Sequence, residues 1–132
     1  KILKKIRNIL KNKVLVSKIE NLYGLNKAAE ISKNSDLIMI DRGDLLAEVG
    51  TGNLYKSICE ISKQAHCFKK PLIMATENLE SMQKRLQPSK SEIIALEHSI
   101  NLGSHIIMLS DETATSPLFM NTLEWLYTFL QE

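Results

Sequence analysis

The chain lacks the features that mark several broad classes of protein. It has only two cysteines, Cys59 and Cys67, with neither a paired disulfide framework nor metal-knuckle spacing, so reduced thiols in a cytoplasmic protein are expected. No apolar run approaches the roughly 18 residues of a membrane span and no signal peptide opens the sequence, so no membrane partner is expected. The formal net charge of +2 is too small to argue for nucleic acid. Basic residues do gather early, at Lys1, Lys4, Lys5, Arg7, Lys11 and Lys13, where they read as the solvated face of a helix. There is no low-complexity tract. His66, His98 and His105 lack ligand spacing and carry no metal expectation.

What remains is the composition of an ordinary globular protein, 44% hydrophobic and 24% charged over 132 residues, enough for a single domain spanning 1–132 with its own core. A start at Lys1 rather than Met leads us to expect a piece of something longer. Four short apolar runs organise the chain: Val14-Leu15-Val16, Leu37-Ile38-Met39-Ile40, Leu72-Ile73-Met74-Ala75 and Ile106-Ile107-Met108-Leu109. Each is too short for a helix core but suits a strand buried on both faces, with Met39, Met74 and Met108 as core filler. Each breaks at once into polar residues: Ser17-Lys18-Ile19-Glu20-Asn21, Asp41-Arg42-Gly43-Asp44, Thr76-Glu77-Asn78, and Ser110-Asp111-Glu112-Thr113.

Helical periodicity fills the intervals. A first helix is expected over residues 1–12, and a short one from Asn26, as N-cap, to Asn34, with Leu25, Ala28, Ala29 and Ile31 facing inward. Gly50-Thr51-Gly52-Asn53 reads as a turn into a helix carrying Leu54, Ile58, Ile61, Ala65 and Phe68, and is not a dinucleotide fingerprint. A short helix over 77–85 and another from Pro88-Ser89, ended by Gly103, lead to the fourth strand. A last helix opens at Pro117, with Phe119, Leu123, Leu126 and Leu130 inward and Trp125 and Tyr127 beside them. The fold class is α/β: a helix, then four parallel strands each followed by helix. The pitch fits a doubly wound sheet and a slice of a (β/α)8 barrel equally well.

The strand ends carry the candidate chemistry, as they do in parallel α/β enzymes. Lys18 and Glu20, two apart, point to the same side of their strand. With Asp44 from the neighbouring strand end, Glu20 gives two hard oxygen ligands suited to Mg²⁺ or Mn²⁺. Lys18 would stand by as a fixed positive charge for a phosphoryl or enolate oxygen. Gly43 permits close backbone approach to an anion, and Thr76 and Ser110 offer hydroxyls. The bland alternative, an exposed Lys18–Glu20 pair worth under about 1 kcal/mol with Asp44 as a turn residue, weakens when four polar strand ends share one edge.

These residues, together with Gly24, Leu45, Ala75, Leu79-Glu80-Ser81-Met82, Pro88, Glu92 and Ala114, resemble pyruvate kinase in the same order and at similar spacings over nearly the whole chain. The resemblance implies units five to eight of a (β/α)8 barrel. It implies transfer of a phosphoryl group between phosphoenolpyruvate and ADP, giving pyruvate and ATP in glycolysis. It also implies Mg²⁺ or Mn²⁺, a K⁺ site whose ligands lie outside this chain, and a homo-oligomer formed through the parent protein or through open sheet edges. Carried over by motif, Lys18 stabilises the transferring phosphoryl group. Glu20 and Asp44 hold the divalent cation, Gly43, Asp44 and Thr76 contact substrate, and Ser110 lies near the enolate protonation machinery.

The sequence departs from the family pattern at Asp41 for alanine, Leu46 for glycine, Glu77-Asn78 for Gln-Met and Asp111 for glycine, and 93–99 lacks the usual Asp-Val-Ala-Asn run. The added acid at Asp41, Glu77 and Asp111 makes the pocket more negative and should weaken binding of a phosphate-rich substrate. A metal-dependent lyase or aldolase acting on related substrates, and a non-catalytic binding module, therefore stay open. The first half of the family's barrel supplies phosphate-gripping and nucleotide-covering parts, so this piece alone is expected to be inactive.

Overall fold

The computed structural model describes residues 2–131; Lys1, counted above in the first helix and its basic face, and Glu132 lie outside the described residues. The second and third apolar runs lie within strands and the first and fourth only in part. β1 (Val16–Ile19) begins at the last residue of its run and extends through Ser17 and Lys18, leaving Val14 exposed. β2 is Leu37–Asp41, β3 is Leu72–Ala75, and β4 keeps only Ile106–Ile107 of its run. They form one parallel sheet in chain order, with Ile19 opposite Ile40, Asp41 opposite Ala75, and Met74 opposite Ile107. Because no strand is reversed, every C-terminal strand end lies along the same edge, which is what gathers the polar clusters.

Burial follows position in the sheet. All four residues of β3 are buried, and in β2 Ile38 and Ile40 are sealed while Leu37 and Met39 are half-buried. The outer strands expose Val16 and Ile106. Of the three methionines expected in the core, only Met74 is buried there. Met39 is half-covered, and Met108, just past the end of the outer strand, is exposed.

The helices start and stop where side chains satisfy free backbone groups. α1 (Ile2–Ile9) buries no residue, but Arg7 anchors it through a 2.7 Å ion pair to Asp36, which also accepts from the Leu15 amide. A short α2 (Leu22–Asn26), not expected, precedes the helix expected from Asn26 to Asn34, which is α3 (Ala28–Asn34). Asn21 caps α2 by accepting from the Gly24 amide at 2.8 Å, whereas Asn26 is the last residue of α2, Lys27 takes the N-cap position of α3, and Ala29 is exposed. α4 (Arg42–Val49) follows β2 with no intervening loop and ends at Gly50, whose φ of 74° favours glycine. α5 (Leu54–Cys67) buries Ile58, Ile61 and Ala65, as its periodicity requires.

The segment expected to be a helix over 77–85 is one turn of 3₁₀ helix, Glu80–Gln83. α6 (Lys90–Asn101) opens on a capping box of Ser89 and Glu92, and Gly103 (φ 78°) follows its end. A short α7 (Asp111–Ala114) and then α8 (Phe119–Phe129) complete the chain. α8 is rotated from the expected face: Thr122 is buried and Trp125, Leu126 and Phe129 pack inward, while Leu123 and Leu130 are exposed. The Trp125 and Phe129 rings stack with centroids 5.0 Å apart, and that aromatic pair selects the buried face.

Two apolar clusters hold the layers. The larger joins Ile19, Ile38, Ile40, Leu72 and Met74 of the sheet to Ala28, Leu45, Val49, Ile58, Ile61 and Ala65 of α3 to α5. Complete burial of each isoleucine contributes roughly 1.5–3 kcal/mol. The smaller cluster sets Leu79, Met82 and Leu96 against α8.

Candidate active site

At the end of β1 the period-two expectation holds, and Lys18 and Glu20 meet in a 2.7 Å ion pair. The same ammonium lies 2.9 Å from Asp41 and 3.5 Å from Asp44, so the expected group of Lys18, Glu20 and Asp44 is brought together. Asp44 is not at a strand end, however. It sits in the first turn of α4, where the helix dipole favours an acid and its amide donates to the carboxylate of the N-cap, Asp41, at 3.3 Å. One carboxylate oxygen each from Glu20, Asp41 and Asp44 lies within 4.8 Å of the others. That donor set suits a hard divalent cation. Lys18 also lines a cleft of about 530 Å³ beside α1, with its side chain 43% exposed, so the ammonium is open to approach.

The charges bias one another. Hydrogen bonds to Asp41 and then to Glu20 raise the Lys18 ammonium above the ordinary lysine value, so it is a permanent cation. Burial pushes the Asp41 carboxyl up, but hydrogen bonds from Lys18 and the Asp44 amide outweigh it and leave that group below the usual range. Three carboxylates against one ammonium leave the cluster net negative.

At the end of β3 the chain turns sharply. Thr76, Glu77 and Leu79 have φ of 62°, 53° and 58°, each a left-handed conformation costing an L-residue roughly 1–2 kcal/mol. This turn places the Thr76 hydroxyl 3.1 Å from the Gly43 amide, which donates to it, while the hydroxyl donates to the Ala75 carbonyl at 2.7 Å. Gly43 and Thr76, expected together at a substrate, are therefore in direct contact. A Cβ on Gly43 would meet Asp41 and Thr76 only at ordinary distances of 3.7 and 3.8 Å, so glycine here leaves the amide uncovered rather than relieving a clash.

Ser110 is not part of this group. It caps α7, accepting from the Thr113 amide at 3.3 Å and lying 3.1 Å from the Thr113 hydroxyl, and it shares no hydrogen bond with Lys18, Gly43 or Thr76.

Three residues matter more than the sequence indicated. Asp41, noted only as an added acid, is both the cap of α4 and a partner of Lys18; the Asp-x-x-Asp pattern closing a strand was its available signal. Arg42 is buried, donating from Nε to the Ala75 carbonyl at 3.3 Å, and from Nη2 to the Thr76 carbonyl and to Asn78 Oδ1, the latter at 2.8 Å. Burial pulls its pKa down, though a guanidinium stays charged. Asn78 had no local signal at all.

A family model described as "Pyruvate kinase, barrel domain" matches residues 1–122. The pyruvate kinase of Hypocrea jecorina is 36% identical over 116 residues, covering 85% of this chain and 22% of that protein. That of Encephalitozoon cuniculi is 34% identical over 122 residues, covering 92% of this chain and 28% of the relative. That of Dictyostelium discoideum is 39% identical over 114 residues, covering 83% and 22%. The chain thus spans about a quarter of the length of these relatives. Four parallel strands delivering a lysine and an acidic cluster to one edge agree with a match that covers nearly the whole chain, and the chain belongs to the pyruvate kinase family, within its barrel domain.

Proposed function

We propose that this chain forms units five to eight of a pyruvate kinase barrel and carries the cation- and phosphoryl-binding side of its active site, serving the transfer between phosphoenolpyruvate and ADP that yields pyruvate and ATP in glycolysis. The observation that supports this reading is the meeting of Lys18 with Glu20, Asp41 and Asp44 beside the Gly43–Thr76 contact.

Glu20 and Asp44 would hold Mg²⁺ or Mn²⁺, which when bound supplies positive charge against the enolate and phosphoryl oxygens. Lys18, kept protonated by its acidic neighbours, is the fixed cation for the phosphoryl group in flight. The Gly43 amide, which now donates to the Thr76 hydroxyl, and that hydroxyl, which now donates to the Ala75 carbonyl, are the two donors a substrate carboxylate would take. Ser110, tied to its own turn, has a capping role in this reading and would need to release Thr113 to assist enolate protonation. The remaining groups, including the K⁺ ligands, belong to residues beyond this chain. The 132 residues alone are accordingly inactive, and activity belongs to a cytoplasmic homo-oligomer of the full-length protein.

The experiment is a steady-state assay of the full-length protein carrying Lys18→Met. Turnover should fall about a thousandfold; unchanged turnover discards the role of Lys18. A second reading is favoured by Asp41, the third carboxylate on Lys18, which competes with phosphate for the ammonium: a metal-dependent lyase acting on a pyruvate-yielding acid without nucleotide. Product analysis with and without ADP separates the two, since pyruvate release independent of ADP supports the lyase.

A further inference from the structure

We propose that Asn78 and Arg42 are a pair of positioning residues that fix the Thr76 hydroxyl and the Gly43 amide as a two-donor clamp for a substrate carboxylate; the inference rests on the functional reading above and goes beyond it by naming what holds the clamp.

Asn78 is 4% exposed and its amide joins three separate segments. Oδ1 accepts from Arg42 at the start of α4, while Nδ2 donates to the Met74 carbonyl of β3 at 3.0 Å and to the Met108 carbonyl beyond β4 at 2.8 Å. Arg42 closes the circuit by donating to the Ala75 and Thr76 carbonyls. Arg42 immediately precedes Gly43, and Asn78 stands two residues after Thr76. The cross-link therefore spans the two residues whose amide and hydroxyl meet at 3.1 Å.

The turn it restrains has an intrinsic tendency to relax. Three L-residues between Thr76 and Leu79 hold left-handed φ angles, and such conformations persist only where surroundings enforce them. The bonds of Arg42 to the Ala75 and Thr76 carbonyls, and of Asn78 to Met74 and Met108, supply that enforcement. None of them touches Lys18, Glu20 or Asp44. The pair should then control the carboxylate clamp while leaving cation binding alone, a separation that a general loss of stability would not produce.

The test uses the full-length protein with Asn78→Leu, which keeps the branch at Cγ and the number of heavy atoms, and with the double variant Arg42→Met/Asn78→Leu, which also removes the buried guanidinium that loses one acceptor in the single variant. Mn²⁺ affinity, KM and kcat for phosphoenolpyruvate, and thermal midpoint are measured on each. The expected result for the single variant is Mn²⁺ affinity within about twofold of the parent and KM raised about tenfold or more, because a small misplacement of binding groups has large effects. In the double variant KM stays raised, whether or not the thermal midpoint recovers. Recovery of KM in the double variant overturns the proposal and reduces the pair to structural support, as does an unchanged KM in the single variant. If the single variant does not fold, the double variant alone decides the matter by its KM. A parent that neither turns over phosphoenolpyruvate nor binds oxalate with Mn²⁺ overturns the functional reading itself, whereas an active parent with an unchanged KM in the variants overturns only this inference.

Discussion

Around Lys18, at the end of β1 and in the first turn of α4, the polar groups are charged and largely wet: Lys18 is 43% exposed, Asp44 65%, and three carboxylates share one ammonium. Between the start of α4 and the turn after β3 they are dry and joined by hydrogen bonds, with Arg42 and Asn78 both buried. Half-buried Glu92 makes a network of the same kind, accepting from both amide and hydroxyl of Ser81 and of Ser89. The first arrangement exchanges partners easily, since solvent screens each pair and an incoming ion can replace a neighbour. The second does not, because breaking one bond strands a buried donor or acceptor. The phosphoryl-transfer role proposed above would call for both: groups that can let go of one another to take a ligand, and a frame that keeps them in place.

The largest effect expected on stability is at the dry end. Arg42→Ala removes the donor to the Ala75 and Thr76 carbonyls and to Asn78 Oδ1, and should destabilise the full-length protein by about 3 kcal/mol or more, read from denaturant midpoints. Glu20→Gln at the wet end should change stability by less than about 1 kcal/mol. Equal costs at the two ends would remove the contrast.

Next is Glu92. Burial pushes its carboxyl up, but the hydrogen bonds from Ser81 and Ser89 more than reverse this and bring the pKa down to about 2, against an ordinary value of 4.5. A depressed carboxylate stabilises the fold above its unfolded pKa and loses that contribution as the proton goes on. Stability should therefore fall between about pH 4.5 and pH 2, by about 3 kcal/mol at most. Glu92→Gln should flatten this limb of the pH–stability curve while changing little of the rest. A variant with the parent's acid limb would show that the Ser81–Glu92–Ser89 network is not what ties the 3₁₀ turn to α6.

The same contrast explains what could be read from the sequence. The wet end was legible because its logic is local: Lys18 and Glu20 share a face by strand period, and Asp44 follows an apolar run by a fixed offset. The parallel order of the strands was legible from four similar runs separated by helical spacing. The dry end depends on contacts far apart in the chain. Asn78 lies next to nothing in sequence that calls for a buried amide, and its three partners come from Arg42, Met74 and Met108. The rotation of α8 was missed for a related reason, since the leucine stripe was read as the inward one while packing against Met82 and Leu96, distant in sequence, turns Trp125 and Phe129 inward beside Leu126. Ser110 looked like a strand-end functional group because a cap and a catalytic hydroxyl have the same local signature: serine between an apolar run and acids.

Asp41 belongs to both ends and gives the smallest and sharpest prediction. Its carboxylate is mostly buried, yet it reaches the exposed Lys18 at 2.9 Å and caps α4 through the Asp44 amide. Asp41→Ala should remove about 1 kcal/mol of stability through the lost cap. It should also take one of three negative charges from around Lys18, leaving the ammonium freer for phosphate. A unit charge at such a distance in water is worth about 1 kcal/mol, so KM for phosphoenolpyruvate should fall about fivefold. The gain should shrink as ionic strength rises, because the cluster is open to solvent. Mn²⁺ affinity should move by less than about twofold if Glu20 and Asp44 are the cation ligands. The opposite result, a raised KM together with a loss of Mn²⁺ affinity, would make Asp41 a third ligand of the cation and move it from the frame to the exchanging side of the site.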